Sequence, residues 1–274
     1  MKIHRFAHDL ESGWSLKEFP KVQSDNQLLL IFGSPSYAQK PEIFSELTKH
    51  YPKALIIGCS SAGEIHGANV KDSSLSICVI GFDHTKVRLS QSHIGKEINS
   101  KNAGEKIAQE LNSPDLNGVF ILSDGLLVNG SELIQGLNSI LNEKVIVTGG
   151  LAGDGKDFKS TWVLADNKVQ SGIVIAVGFY GNKIKIKYGS NGGWNIFGPE
   201  RIVTKSIGNV LYELDGKPAL DLYKTYLGDL AQQLPASALL FPLALRDQND
   251  NEKSLVRTIL AIDEKAKTMT FAGD

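Results

Sequence analysis

The chain of 274 residues contains an internal repeat, and this repeat limits its fold more than any other feature. One window runs through LLLIFGS (28–34), LIIGCSSAGEI (55–65), SLSICVIGF (74–82) and KVRLSQSHIG (86–95). A second window has the same kinds of segment in the same order: VFILSDG (119–125), VIVTGGLAGDG (145–155), SGIVIAVGFYG (171–181) and KIKIKYGSNG (183–192). Matches in one order indicate a duplication, so we expect two similar structural units.

Each copy is predicted to form a β-α-β-β-β unit. Its first two strands are continuous apolar runs such as LLLIF and VFIL, which are typical of strands covered on both faces. The helix between them has apolar residues at helical spacing: Ile43, Leu47 and Tyr51 in the first copy, and Ile134, Leu137 and Leu141, after Ser131 as a cap, in the second. A strand, a helix and a strand within about 30 residues predict a right-handed parallel crossover. Short loops separate the last two strands of each copy, so we expect antiparallel hairpins there.

A further helix, with Ala103, Ile107 and Leu111 on its apolar side, is expected to link the two copies. The pattern of segments changes after SNGGWNIFGP (190–199). We therefore predict a domain boundary between about residues 195 and 215.

The segment after this boundary is predicted to be a smaller α+β domain. VTKSIGNVLYELDG predicts strands with a turn at Asp215-Gly216. KPALDLYKTYLG predicts a short helix with Leu222 and Tyr226 on its apolar side and Gly228 at its end. The whole chain is thus predicted to have a mixed α+β (α/β) fold. Duplicated β-α-β-β-β units with mixed parallel and antiparallel sheets precede a smaller C-terminal α+β domain.

Composition excludes several classes of function. The net charge of −1 leaves no electrostatic footprint for nucleic acid or an anionic membrane. No apolar run reaches about 18 residues, so no membrane span is expected, and the N-terminal MKIHRFAHDLESGW lacks the apolar core of a signal peptide. Cys59 and Cys78 each lie in an apolar run, which indicates buried, reduced thiols and a cytoplasmic protein.

The stretch LIIGCSSAGEIH (55–66) has the residue types of a catalytic site but not their spacing. A nucleophile elbow needs Gly-x-Ser-x-Gly, and Ala62 stands where the second glycine should follow Ser60. Cys59 with His66 as its base is an alternative nucleophile, but the apolar run before Cys59 indicates that it packs inward. The matching turn of the second copy has neither serine nor cysteine. We therefore predict no catalytic residue and no enzyme.

Metal and nucleotide sites also lack their required spacing. Only His4 and His8 stand four residues apart, at a terminus expected to fray, and neither CxxC nor HExxH occurs. Gly153-x-Gly155 precedes a predicted strand, whereas a dinucleotide fingerprint precedes a helix. No metal site is predicted.

The two copies share one chemical feature, a strand-end turn with an acidic residue: Ala62-Gly63-Glu64 and Ala152-Gly153-Asp154. Ligands of α/β sheets bind beyond the carboxyl ends of parallel strands, so these turns are expected to form a small-ligand pocket. The candidate ligand-binding residues are Cys59, Ser60, Ser61, Gly63, Glu64, Asp124, Gly150, Gly153, Asp154 and Trp194. The alternative is that the glycines only make tight turns and the carboxylates face solvent.

An ordered set of segments resembles the FIST family, a sensory domain of bacterial signal-transduction proteins and some eukaryotic F-box proteins. The segments are IIGCSSAGEI, ILSDGLLVNGSELIQGLN, VIVTGGLAGDG followed by TWVL, VTKSIGNVLYELDGKPALDLYKTYLG and FAGD, within residues 26–274. The resemblance implies an N-terminal extension (1–25) and a FIST N-terminal-type domain (26–200) with repeats at 26–98 and 117–195. It also implies the start of a C-terminal-type domain (210–274), which we expect to be truncated.

The resemblance also implies a function. FIST domains are proposed to sense small molecules such as amino acids inside the cell. No kinase or cyclase pattern occurs in these 274 residues, so the expected partner is a separate protein such as a histidine kinase or a cyclic-di-GMP enzyme. Some members look like haem-containing nitric-oxide sensors. A haem needs an axial ligand, for which His66 and His93 are the candidates here. A small-ligand sensor and a haem-based nitric-oxide sensor remain alternatives.

Overall fold

The computed structural model describes residues 1–95, 97–165, 167–189, 194–247 and 250–271. The chain divides into two units. The first contains Met1–Val128 and Glu132–Tyr188, and the second contains Asn129–Ser131 and Gly189–Asp274. The mixed α+β fold predicted from the sequence is confirmed.

The part of the chain up to Tyr180 has thirteen strands and three helices among its described residues. The strands are β1 (Lys2–Asp9), β2 (Gly13–Trp14), β3 (Asn26–Gly33), β4 (Ala54–Ser60), β5 (Glu64–His66), β6 (Asn69–Lys71), β7 (Ser74–Phe82), β8 (Lys86–His93), β9 (Leu116–Ser123), β10 (Ile146–Leu151), β11 (Val163–Ala165), β12 (Lys168–Gln170) and β13 (Ile173–Tyr180). The helices are α1 (Pro41–His50), α2 (Ser100–Leu111) and α3 (Gly130–Ile140), and a 3₁₀ turn covers Pro35–Gln39.

These strands form two large sheets. Sheet 1 has the order β12-β11-β4-β3-β7-β1-β2, and sheet 2 has the order β10-β9-β13-β8. The parallel pairing predicted for the first two strands of each copy is confirmed, because β3 pairs in parallel with β4 and β9 pairs in parallel with β10. In each copy the next long strand, β7 or β13, lies antiparallel on the other side of the first strand. The strands β5 and β6 form a separate two-stranded hairpin.

The two sheets pack face to face with helices outside them. Alternate residues of β13 point to opposite layers: Ile175 lies between the sheets, and Val174 lies under α2 and α3. On the other side, Phe44 and Leu47 of α1 pack on sheet 1. Sheets covered on both faces explain why the strands are continuous apolar runs.

The predicted hairpins within each copy are wrong. The strand β8, expected to pair with β7, lies along β13 of the second copy, from Lys86 opposite Tyr180 to His93 opposite Ile173. The side of β7 on which β8 was expected pairs with β1 instead, so the N-terminal segment forms a full strand rather than the frayed end that was predicted. The second-copy segment 184–189 forms no strand, although Ile184 packs at the inter-sheet core.

The helices of the first unit agree with prediction except in α3, where Ser131 lies within the helix rather than at its cap. In α2, Ala103, Ile107 and Leu111 are all buried, as expected. In α3 the buried residues are Leu133, Gly136 and Leu137, whereas Ile134 is 37% exposed.

The second unit contains the remaining elements: β14 (Val203–Ile207), β15 (Val210–Leu214), β16 (Lys217–Pro218), α4 (Ala219–Leu227), β17 (Leu243–Asp247), β18 (Asp250–Arg257), β19 (Ile259–Asp263) and β20 (Thr268–Phe271), with 3₁₀ turns at Gly228–Gln233 and Ala236–Leu240. The predicted turn is confirmed, since Asp215 and Gly216 both have positive φ (52° and 73°) between β15 and β16. The predicted apolar side of α4 is wrong, because α4 buries Tyr223 and Leu227 and leaves Tyr226 44% exposed.

Candidate functional site

Four strand-end segments of the first unit meet, and we call them the turn junction: residues 60–64, 124–125, 152–154 and 159–162. The Gly153 N–H donates to the Ser60 carbonyl at 2.9 Å, so the turns of the two copies touch directly. The Gly125 N–H donates to Thr161 Oγ1 at 3.2 Å. A Cβ on Gly125 would lie 1.8 Å from the Ala152 carbonyl oxygen, so this close approach requires glycine.

Ser60 joins the two copies through its backbone and its side chain. Its N–H donates to the Trp162 carbonyl at 2.8 Å, and its Oγ accepts from the Trp162 N–H at 3.0 Å. Ser60 is 1% exposed. Its neighbour Cys59 lies in the core between the sheets, where burial raises the pKa of the thiol to about 12. Neither side chain has the surroundings of an activated nucleophile.

Glu64 is buried in the junction, and its carboxylate is fully engaged. Oε1 accepts from Ser61 Oγ at 2.8 Å, and Oε2 accepts from the N–H and the hydroxyl of Ser74, each at 3.2 Å. Burial raises the pKa of Glu64, and the hydrogen bonds from Ser61 and Ser74 oppose that rise. The side chain ties the start of β5 to the start of β7.

Asp124 is 2% exposed and holds two loops together. Oδ1 accepts from the N–H groups of Leu126 and Leu127 at 2.8 and 2.9 Å. Oδ2 accepts from the Gly172 N–H at 2.9 Å. In the first copy Ser34 has a similar role, since its Oγ accepts from the Ser36 N–H after β3. The contacts of Asp124 are those of a structural cap.

Asp154 is the partly exposed acid of the junction. Oδ2 accepts from the N–H groups of Lys159 and Ser160 at 2.6 and 2.9 Å, which closes the loop before Trp162. Among the described residues no hydrogen bond to Oδ1 is formed. Asp154 therefore has one carboxylate oxygen left for a further donor.

The backbone aligns the two acidic turns differently from the sequence. The Ser61 N–H donates to the Gly33 carbonyl, and the Ala152 N–H donates to the Ser123 carbonyl, at the corresponding ends of β3 and β9. Ser61 therefore corresponds to Ala152, one position away from the match of Ala62 with Ala152. Glu64 and Asp154 are not equivalent in the structure, which agrees with their different burial and contacts.

The remaining predicted residues lie in different surroundings. Gly63 lies beside β6, and a Cβ on it would be 3.4 Å from Val70. Gly150 lies exposed in β10 with nothing within 4 Å of an added Cβ. Trp194 belongs to the second unit and is 53% exposed. Sequence reasoning missed Ser74, because its hydrogen bonds to Glu64 cross ten positions of the chain without a motif.

Neither candidate axial ligand has surroundings that fit a haem. His66 ends β5 in the small hairpin, next to Ile65, which is 68% exposed. His93 is exposed at the end of β8. Haem ligation needs a large apolar pocket beside the ligand. Two surface cavities, of about 390 and 210 Å³, contain neither histidine. No group of three or more His, Cys, Asp or Glu side chains among the described residues could hold a metal ion.

Fold and junction together define the class: a duplicated α+β domain in which two mixed sheets pack between helices and the strand-end turns of the copies meet. The chain belongs to the FIST family, since the FIST N domain model matches residues 27–217 and the FIST C domain model matches residues 219–274. The resemblance noted in the sequence is thus confirmed. FIST domains are sensory domains, which indicates a role in signalling.

One curated relative is an uncharacterized protein of Methanocaldococcus jannaschii. It is 27% identical over 205 residues, which cover 70% of this chain and 38% of the relative. The chain therefore spans well under half of that protein's length. In the described part of the chain, no helix has the length and apolar character to cross a membrane.

Proposed function

We propose that this chain is a cytoplasmic sensor that binds a small cationic or hydrogen-bonding ligand, such as an amino acid, at the turn junction and signals to a separate partner such as a histidine kinase or a cyclic-di-GMP enzyme. One observation carries the proposal. No donor among the residues that the structure describes bonds to Asp154 Oδ1, which lies where the turns of the two copies touch. An ammonium group of a ligand would supply a charge-assisted hydrogen bond to that oxygen.

The position of Asp154 also suggests how binding is transmitted. Its Oδ2 holds Lys159 and Ser160, and the same loop continues into Trp162, which pairs with Ser60 of the other copy. A ligand that draws Asp154 outward would therefore strain the contact between the copies. A ligand shifts such an equilibrium only by its differential affinity for the two arrangements.

A sensor is favoured over an enzyme by the state of the nucleophiles. Burial raises the pKa of the Cys59 thiol to about 12, so it stays protonated at neutral pH. The Ser60 hydroxyl is buried and bonded to Trp162. Within the described ranges neither group is hydrogen-bonded to a base, which supports a role without covalent catalysis.

Thermal shift measurements of the whole chain with a panel of free amino acids and amines test this function. A ligand at about 100 times its Kd stabilises the protein by about 2.7 kcal/mol. For a domain of this size that raises Tm by about 5–10 °C. Asp154→Asn keeps an oxygen for the Lys159 and Ser160 N–H groups but removes the charge, so the shift should be lost.

The matched control is Asp157→Asn, which removes an equal charge from an exposed position of the same loop. We expect this variant to keep the ligand-dependent shift. A shift that survives in Asp154→Asn, or a panel that gives no shift with wild type, contradicts the proposed site.

A further inference from the structure

The two copies differ at one sheet edge. In sheet 1 the outer side of β4 is paired with β11, a strand contributed by the second copy. In sheet 2 the corresponding strand β10 pairs with β9, and no other described strand pairs with it. On its outer side β10 thus has main-chain N–H and C=O groups with no described strand beside them, whereas the corresponding groups of β4 face β11. It also has no charged residue between Ile146 and Leu151, so it lacks the usual protection of an edge strand.

The correspondence of β4 and β10 rests on independent contacts. A Cβ on Gly58 of β4 would lie 2.3 Å from the Ile31 carbonyl oxygen. A Cβ on Gly149 of β10 would lie 1.8 Å from the carbonyl oxygen of Ile121, which is paired with it as Ile31 is with Gly58. The two glycines occupy the same place in the two sheets.

The residue just before β11, Trp162, also covers a residue of helix α1. Trp162, next to β11, packs edge-on against Phe44 of α1 with 5.6 Å between ring centroids. Phe44 is 2% exposed. The corresponding residue of α3 is Ile134, because both lie three positions before an equivalent buried leucine, and it is 37% exposed. Ile134 lacks the cover that Phe44 has.

The leucine pair that sets this alignment is itself marked by main-chain contacts. The Tyr51 N–H donates to the Leu47 carbonyl at the end of α1, at 2.9 Å. The Leu141 N–H donates to the Leu137 carbonyl after α3, at 3.0 Å. Leu47 and Leu137 are both 0% exposed. The exposure of Ile134 is therefore a real difference between two equivalent helices.

The first copy cannot cover this edge with its own hairpin. In the second copy the segment 155–162 separates Asp154 from β11 and lets the hairpin of β11 and β12 reach β4. In the first copy β5 starts at Glu64 itself, which is bound to Ser61 and Ser74. The hairpin of β5 and β6 has no connecting segment with which to reach β10.

We propose that the β10 edge and Ile134 form a docking site for an extended apolar segment of a separate partner protein, which pairs antiparallel with β10 and covers Ile134 with a bulky side chain. This inference rests on the proposed function, since it specifies how the sensor contacts its partner. Strand addition to an open edge is a general mode of peptide recognition. The occupant is inferred by analogy with the first copy, where β11 pairs with β4 and the adjoining Trp162 covers Phe44.

The probe is a capped peptide with the sequence STWVLA, taken from residues 160–165, because those residues cover the corresponding edge. Its binding to the whole ¹⁵N-labelled chain is followed by NMR titration. We expect shift changes at β10 and α3 and weaker binding, by about tenfold or more, in Ile134→Lys. The control Ile65→Lys, at a 68% exposed position of the separate hairpin, should bind like wild type. A peptide with alanine in place of its tryptophan should also bind more weakly.

Three results would overturn the proposal. The first is no binding up to the solubility limit of the peptide. The second is equal binding by wild type and Ile134→Lys, which would mean that the peptide displaces β11 from β4. The third is self-association of the free chain that Ile134→Lys abolishes, which would make a second copy the occupant. The Asp154→Asn thermal shift is independent of all three, so failure of the ligand site and failure of the docking site are distinguishable.

Discussion

Adjacent glycines in β10 should respond in opposite ways to the same substitution. Gly149→Ala places a Cβ 1.8 Å from the Ile121 carbonyl oxygen and 2.7 Å from its carbon, both in the rigid backbone of β9. Real Cβ atoms do not come within 3.0 Å of such atoms, so the strands must separate by at least 1.2 Å. Gly150→Ala meets nothing within 4 Å and has no positive φ. Gly149 also has a φ of +156°, which L side chains rarely adopt, so the pair measures the clash and the backbone strain together at nearly the same chain position.

The expected cost of Gly149→Ala combines two contributions. Overpacking against an unyielding neighbour costs about 1–3 kcal/mol. The shift also weakens hydrogen bonds between β9 and β10, each worth about 1 kcal/mol. We therefore expect a loss of about 3 kcal/mol in the free energy of unfolding. Gly150→Ala should leave stability unchanged or raise it by about 0.4–1 kcal/mol, because it restricts the unfolded chain.

Scanning calorimetry of the two variants and wild type measures the difference. At about 2–4 °C per kcal/mol, Gly149→Ala should lower Tm by about 6–12 °C. Gly58→Ala, whose Cβ would meet the Ile31 carbonyl at 2.3 Å, should behave like Gly149→Ala. If the Gly149 and Gly150 variants melt at the same temperature, the correspondence between β4 and β10 loses its physical basis.

Three further predictions concern the buried polar groups. Burial raises the pKa of Glu64 above its unfolded value of about 4.5. Between the two values the native state keeps a proton that the unfolded state has lost, so the free energy of unfolding declines as pH rises through the native pKa. Glu64→Gln should remove that decline when urea unfolding is measured as a function of pH. Asp124→Ala leaves three N–H groups without their acceptor and should cost about 3 kcal/mol or more in the same assay. Cys59, and Cys78, whose thiol pKa burial also raises, should react with a thiol reagent only after denaturation, and rapid native reaction at Cys59 would contradict its place in the core.

The candidate site could be predicted in part. Glycines and small polar residues at strand ends predicted turns there, and the structure brings these strand-end segments of the two copies into contact. The role of each side chain could not be predicted, because a carboxylate in a turn can face solvent or accept hydrogen bonds from distant residues. The Glu64 carboxylate accepts a hydrogen bond from Ser74, and the Asp124 carboxylate accepts one from Gly172. No local sequence pattern marks either partner.

The sequence by itself determined the local elements and the two parallel crossovers, because apolar periodicity and glycine turns act over a few neighbouring residues. Only the tertiary structure decided which strands pair. In the structure β8 pairs with β13 rather than with β7, and β11 pairs with β4. Among the described strands, β10 pairs only with β9, so its outer edge has no partner strand. The reason is that main-chain hydrogen bonds are the same for every apolar strand. Partner choice therefore depends on the lengths of connecting segments and on competition between edges, such as the entry of β1 beside β7.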